Sequence, residues 1–559
     1  MTFRLKIVLL LLPVALCLIQ WPITNNMFPI FSGPLEFDVD PAYQYLFNSL
    51  FLLKGHVPLH IDHPGTPLQV LGAILIFCTW VVLSVVGAVG QSLELSVTLM
   101  PEVYLRVIST GLILINAGAI YFLGDKVSQA TKSISIALLS QCVFMSSSVL
   151  LFRIGYPSPE SLIIAITTCL MAVLAPFIFM KLERAEDAHL EPRADKTPVT
   201  SAVVAGLLCG IGVATKLNFL PVLGLLLFFK NKPFFIAVFC SLLGFLIGVV
   251  PIMSKIPEVL QWLVNIATHS GVHASGDAGI FVFPDFQWHS TKIQEAFPLY
   301  FIVLRLLLIV LALQALYWCS DAVMRLCRLE RARRWLSEAS LNALFLRSKT
   351  PFILSLVCIA QTVFVLKHPG LHYLVPALPI GFIGFVWLVH SAISNDWIKK
   401  YSNHLSLLVL FVTGVVCATV FRDALSVIGK GRHEQDEALQ RVQAAIAGFS
   451  NPVIVTAYRS TLPLHAKAAG LSAPWGPYLG ASLKPMFEQF YMWDGGPKKL
   501  IRYGSELLPA SLLNDYLKEG RTVLLSTPTL YADLSGFILE PVIDRSVQQL
   551  YKITGVKAR

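Results

Sequence analysis

Apolar runs long enough to cross a bilayer recur along most of the chain, separated by short polar connections, and they stop near residue 421. A membrane-spanning helix needs roughly 20 mainly apolar residues. That length picks out 6–22, 104–123, 134–152, 160–180, 199–215, 217–231, 234–253, 297–318, 350–366, 373–391 and 404–421, of which 217–231 is the shortest. A further apolar stretch, 68–89, is ambiguous, and the charge of the connections arbitrates. Lys181, Arg184, Arg193 and Lys196 crowd 181–198, and Arg325, Arg328, Arg331, Arg333, Arg334, Arg347 and Lys349 crowd 319–349. Basic connections belong in the cytoplasm. The pairs Lys126 and Lys132, Lys230 and Lys232, and Lys399 and Lys400 fall inside as well, provided that 68–89 does not change the side of the chain. The pattern therefore predicts eleven spans, with 68–89 as a re-entrant or juxtamembrane helix, the N-terminus inside and the C-terminus outside.

From residue 422 the pattern becomes that of a soluble α/β domain. GKGRHEQDEALQRVQAAIAGF reads as an amphipathic helix, and NPVIVTAYR and RTVLLSTP read as buried strands. ASLLNDYLKEG between them reads as a helix capped by Gly520. The expected organisation is a transmembrane region over 1–421, with an outer loop at 23–103, followed by an extracytoplasmic domain over 422–559.

Composition agrees with an α-helical polytopic membrane protein. Of 559 residues, 55% are hydrophobic and 14% charged, with a mean hydropathy of +0.68, outside the soluble globular range. The net charge of +10 is accounted for by the basic inner connections, which removes nucleic acid as a partner. The ten cysteines lie in or beside apolar segments, with no zinc-like spacing. The N-terminal run lacks a small-residue cleavage site before Gln20-Trp21 and reads as an uncleaved first span.

The predicted outer side collects the chemistry. Directly after the first span, EFDVDPAYQYLFNSLFLLKGHVPLHIDHPGTP carries Glu36, Asp38, Asp40, His56, His60, Asp62 and His63 within a short polar loop. Ionisable groups beside hydrocarbon are costly and mark functional sites. In extended chain Asp38 and Asp40 would point to one side, which suits a divalent cation such as Mg or Mn, or a pair of hydroxyls. Asp40-Pro41 also reads as a helix N-cap followed by proline at the first helical position. His60 to Pro67 suits substrate binding or a rigid turn better than a metal. At other outer boundaries lie Arg153, Tyr156 and Glu160, and the run Lys367, His368, Pro369, Gly370, Leu371, His372, Tyr373. A lysine at a span end often only snorkels to the headgroups. The cations and the phenol also suit the phosphate of a lipid-linked substrate; Arg106 and Lys216, each at the outer end of an apolar segment, could join them.

Over about residues 1–420 the chain resembles the GT-C glycosyltransferases, the polytopic enzymes that use polyprenyl-phosphate sugars, and most resembles the branch of protein O-mannosyltransferases and lipid A aminoarabinose transferase. The likeness rests on Asp40 followed by Gly55 and His63-Pro64, on Glu160 in SPESL, on Lys367 leading to the Tyr373-Leu374-Val375-Pro376 run, and on the Ala214-Thr215-Lys216 turn. The chain departs from the family at Asp40-Pro41, where Asp-Glu is common, and at HPGTP, where paired prolines are. The resemblance implies a bacterial inner-membrane enzyme that transfers sugar with inversion to an extracytoplasmic lipid, glycan or protein acceptor. It implies Asp40 as the base, with Asp38 second, and Glu160, His63, Asp62 and Tyr43 as substrate contacts. Arg106, Lys216, Lys367, His368, His372 and Tyr373 are the implied lipid-phosphate contacts; no cofactor beyond an optional divalent cation is required. The rival readings are a transporter, which should show repeats and mid-span charges, and a non-catalytic component binding a lipid-linked glycan.

Overall fold

The computed structural model describes residues 3–25, 39–59, 61, 65–179, 197–271, 276–279, 282–283, 286–326, 348–368, 370–394, 402–457, 475, 490–494, 499–502, 506–528, 534, 536–544 and 548–557. Its helices are α1 (Phe3–Asn25), α2 (Gln44–Leu53), α3 (Thr66–Val85), α4 (Leu93–Leu99), α5 (Pro101–Thr131), α6 (Ile134–Gln141), α7 (Ser148–Arg153), α8 (Pro159–Ile178) and α9 (Thr197–Thr215). They continue as α10 (Asn231–Val249), α11 (Ile256–Thr268), α12 (Phe286–Ala296), α13 (Pro298–Leu326), α14 (Thr350–Lys367), α15 (Leu378–Ile393), α16 (Ser402–Ala447) and α17 (Leu512–Lys518). Among the described residues, nine helical segments are long and apolar enough to cross a membrane, with shorter apolar helices at Lys6–Gln20, Ile134–Met145 and Leu217–Phe228.

The bundle is built around α5 and α8, whose inward faces form one large core with α1, α6 and α15. Buried amides stitch the core where apolar packing alone would not fix register. Gln141 donates to the carbonyls of Leu9 and Ile120 at 2.9 and 3.2 Å, and Gln20 donates to that of Leu151 at 2.6 Å. α9 and α10 form another close pair. Gly206 and Gly210 face the α10 backbone so closely that a Cβ on either would collide with the carbonyl of Ala237 or of Ser241, a small-residue seam of the kind that joins helices in lipid.

Four expectations change. The run 134–152 is broken, as α6, a 3₁₀ turn Cys142–Met145 and α7, because Ser146, Ser147 and Ser148 interrupt it. The run 217–231 is a 3₁₀ helix, Leu217–Phe228, containing Pro221, too short to count as a full span. The stretch 68–89, expected as a re-entrant or juxtamembrane helix, is one continuous helix, α3, long and apolar enough to cross a membrane. Its neighbours nevertheless keep the starts of α3 and α5 together: Gly72 faces Ile108 and Leu75 faces Gly111, while Tyr45 covers Gly65 and Tyr43 reaches Glu102. Finally, the last apolar run and the following amphipathic run are a single helix, α16, of 46 residues, so residue 421 is not a break.

Beyond α16 lies a seven-stranded sheet, β1 (Val453–Ala457), β2 (Phe490–Asp494), β3 (Lys499–Arg502), β4 (Glu506–Pro509), β5 (Val523–Pro528), β6 (Phe537–Ile543) and β7 (Gln548–Val556). Its order is β4-β3-β2-β1-β5-β7-β6. β1 is parallel to β2 and β5, and the outer pairings are antiparallel. Strand alternation sends Val523 and Leu525 to the face shared with Leu513 of α17, and Leu524 to the face shared with Leu439 and Val442 of α16.

Candidate functional site

The turn Asp40-Pro41 does not cap α2. It lies inside a π-helical turn, Val39–Tyr43, that runs directly into α2, so Asp40 sits one residue within the turn instead of ahead of it. Three residues on, Tyr43 is buried, and its hydroxyl donates to Glu102 Oε1 at 2.8 Å. Burial, reinforced by the carboxylate, holds that phenol well above the usual tyrosine range. Its T-shaped contact with Phe47, 6.1 Å between ring centres, continues the packing along α2. Tyr45 covers Gly65, which has φ +62°, a left-handed conformation that a side chain would strain even without the tyrosine hydroxyl above it. That glycine starts α3, and so fixes where the preceding histidine-rich segment must end.

A second set of groups is delivered by the turn between α7 and α8. α5 holds this turn from one face: Ser109 donates to the Gly155 carbonyl, and Asn116 Nδ2 donates to the carbonyls of Ser161, at 3.1 Å, and Ile154, at 3.4 Å. Arg153 ends α7 with its guanidinium 5.3 Å from the centre of the Tyr156 ring. Glu160 follows Pro159 in the first turn of α8, where the helix dipole favours an anion. Its Oε1 accepts from Lys216 Nζ at 2.5 Å, and both side chains are about 5% exposed. The Lys216 ammonium lies 4.9 Å from the centre of the Tyr373 ring, close enough for a cation–π contact. Asn218 and Gln361 fix Tyr373 from behind by donating to its carbonyl at 3.3 and 2.7 Å. His372 packs on Tyr373 at 4.2 Å. Arg153, against Tyr156, and His372, against Tyr373, are the further basic residues of this neighbourhood.

Tyr43, Glu160, Lys216, His372 and Tyr373, which the sequence singles out in separate segments, thus form one row. Glu160, Lys216 and Tyr373 follow one another in contact, and beside them Tyr156, with Arg153 against its ring, packs on the cluster that holds the Tyr43–Glu102 pair. Arg106 is buried on α5, one turn after Glu102. Lys367 and His368 are placed differently. Lys367 Nζ donates to the Ala267 carbonyl at 2.5 Å, and the His368 ring nitrogens lie 3.0 Å from the Ile266 carbonyl and 2.9 Å from that of Gly271. Two of these carbonyls belong to the last turn of α11, which has no later amide to accept from. The two residues therefore cap an amphipathic helix, and the His368 ring, packed on Phe364 as Tyr373 is, lines a small cavity with Asn218 and Tyr373. Asp38, Asp62 and His63 lie outside the described residues, and of Asp40 only the backbone is described. Among the described residues no three His, Cys, Asp or Glu groups gather as a metal site requires; the Asp38 and Asp40 carboxylates fall outside that statement.

Glu102 was not singled out from the sequence. The signal was present, because Pro101-Glu102 opens α5 as Pro159-Glu160 opens α8.

No family model and no curated protein matches the chain. Two solved structures are similar to it at 13% identity, covering 97% of this chain and 97% of each of theirs. They are ArnT from Cupriavidus metallidurans bound to undecaprenyl phosphate, with a TM-score of 0.49, and the same protein in the apo state, with a TM-score of 0.46.

Proposed function

We propose that the chain is a membrane glycosyltransferase that moves a sugar from a polyprenyl-phosphate donor to an extracytoplasmic acceptor, with inversion at the anomeric carbon. The observation that carries this reading is the convergence of Glu160, Lys216 and Tyr373 from three distant segments into one buried group of charge and aromatic ring. Charges removed from water at the ends of apolar helices need a function to retain them. The row also joins three of the segments that carry the likeness to polyprenyl-phosphate-dependent enzymes. The acceptor is a lipid, glycan or protein hydroxyl or amine.

In this reading the Asp40 carboxylate takes the acceptor proton while the acceptor atom bonds to the anomeric carbon. The bond from that carbon to the lipid phosphate oxygen breaks on the opposite face, and the phosphate leaves with the electron pair. General-base assistance is worth about 10²–10⁴ in rate. Fixed cations at the departing phosphate supply the larger electrostatic contribution; Lys216, His372 and Arg153 are the groups of the row suited to it, with Glu160 holding Lys216 in place. Asp38 is the second carboxylate of the loop. The positive connections at 181–198 and 319–349 support a reading in which this side of the bundle lies outside the cytoplasm.

Purified protein supplied with a panel of polyprenyl-phosphate sugars and acceptors should release lipid phosphate, and Asp40→Asn should reduce release at least ~10²-fold while remaining folded in detergent. Near-normal release by that variant would overturn the role of Asp40. Donor binding without release from any donor would favour a glycan-binding component.

A further inference from the structure

Among the described residues, Trp475 joins the sheet region to α2 by a side-chain hydrogen bond. Trp475 is 1% exposed; its Nε1 donates to Asn48 Oδ1 at 3.0 Å, and its ring lies 6.0 Å from that of Phe47. Asn48 is fully buried in the middle of α2, and the same Oδ1 accepts from the Leu59 amide at 3.1 Å. One oxygen thus ties together α2, the segment that follows it, and a residue 427 positions away. Alternation along β2 turns Phe490 and Met492 to this side, joined by Ile501 of β3. The cluster they enter also contains Tyr43, Phe47, Tyr104 and Leu105. Phe47 packs on Tyr43, and Tyr43 is held by Glu102.

We propose that Trp475 is a positioning residue for transfer: by gripping Asn48 and Phe47 it fixes the orientation of α2, and with it the Asp40 turn that begins the helix. The proposal rests on the glycosyltransferase reading for its kinetic consequence. Its structural core, that a residue of the sheet region orders α2, does not depend on it. Three features carry it. The contact is made by an indole N–H, a directional donor that an apolar surface could not replace. Its acceptor lies on the helix of the site. The path from indole to the Tyr43 hydroxyl passes only through buried aromatic contacts, which shift as a unit. The polar and ring contacts described for Trp475 are with Asn48 and Phe47 of α2, so its action on transfer runs through that helix.

The experiment uses the full-length protein in nanodiscs, with W475F, which keeps a ring but loses the donor, and W475A. Hydrogen exchange of peptides covering 44–59 should quicken about tenfold in W475A and less in W475F, the consequence of an unmade buried hydrogen bond. With an active donor, kcat should fall about tenfold in W475A, with partial recovery in W475F, while donor KM stays within about twofold. Unchanged exchange at 44–59 in both variants would overturn the proposal. So would a raised KM at unchanged kcat, which would make Trp475 a substrate contact. If W475A does not fold, W475F alone decides by the same two measurements. If wild-type protein releases lipid phosphate from no donor, the glycosyltransferase reading fails, and hydrogen exchange still decides whether Trp475 orders α2.

Discussion

Two of the long helices begin alike, α5 with Pro101-Glu102 and α8 with Pro159-Glu160, yet their carboxylates have opposite neighbours. Both are buried in a first helical turn, where proline lacks the amide that would be left over and the dipole favours an anion. Glu160 faces a lysine under an aromatic ring; Glu102 faces a neutral phenol. The first arrangement collects charge and the second disperses it. Local sequence therefore sets where a carboxylate is placed, and the partner brought by tertiary structure sets what it does. In the proposed enzyme the charged start serves the donor phosphate, and the neutral one holds the turn that carries Asp40.

Removing the charged partner should have the largest effect. Lys216→Met leaves Glu160 buried without its cation and should destabilise the protein by about 3–5 kcal/mol, whereas adding Glu160→Gln should recover much of that loss. Denaturation in mixed micelles measures both, and equal losses in the single and double variants would show that the pair is not coupled. At the other helix start, Glu102→Gln keeps an acceptor for Tyr43 and loses only the charge, so the cost should be nearer 1 kcal/mol; a loss as large as that of Lys216→Met would erase the contrast. The smallest effect is in pH dependence. The Tyr43 phenol is raised in the folded protein. Its contribution is therefore fully present below the unfolded value of about 10 and is lost as pH rises from there toward the folded value. Wild-type stability should fall relative to Tyr43→Phe by up to about 1.4 kcal/mol per pH unit above that point. Parallel curves would show that Tyr43 ionises as freely folded as unfolded.

Most of the bundle was legible because a span is a local property: twenty apolar residues in sequence become a helix in lipid whatever they touch. The same reasoning failed where polar or proline residues interrupt a run, as at Ser146 to Ser148 and Pro221. It also stopped α16 too early, because a change from apolar to amphipathic pattern is not a change of backbone. Glu160, Lys216 and Tyr373 could be nominated from motif order, but their mutual contact, across 56 residues for the ion pair, is tertiary. Lys367 and His368 show the reverse. Their residue types suit a phosphate, and nothing near them in sequence discloses that the carbonyls of a helix about 100 residues earlier lie within reach. Trp475 offered no periodic signal, being a single side chain whose partner is 427 positions away.

The long helix α16 has a mechanical meaning. It contains no proline and runs unbroken from an apolar half, past Gly429 and Gly431, to the residues that pack on β5 and β7. At 1.5 Å per residue it is a strut of roughly 70 Å, more than twice the hydrocarbon thickness. A span adjusts to a thinner or thicker bilayer by tilting. The apolar region and the sheet are thereby joined by one continuous helix and not by a loop.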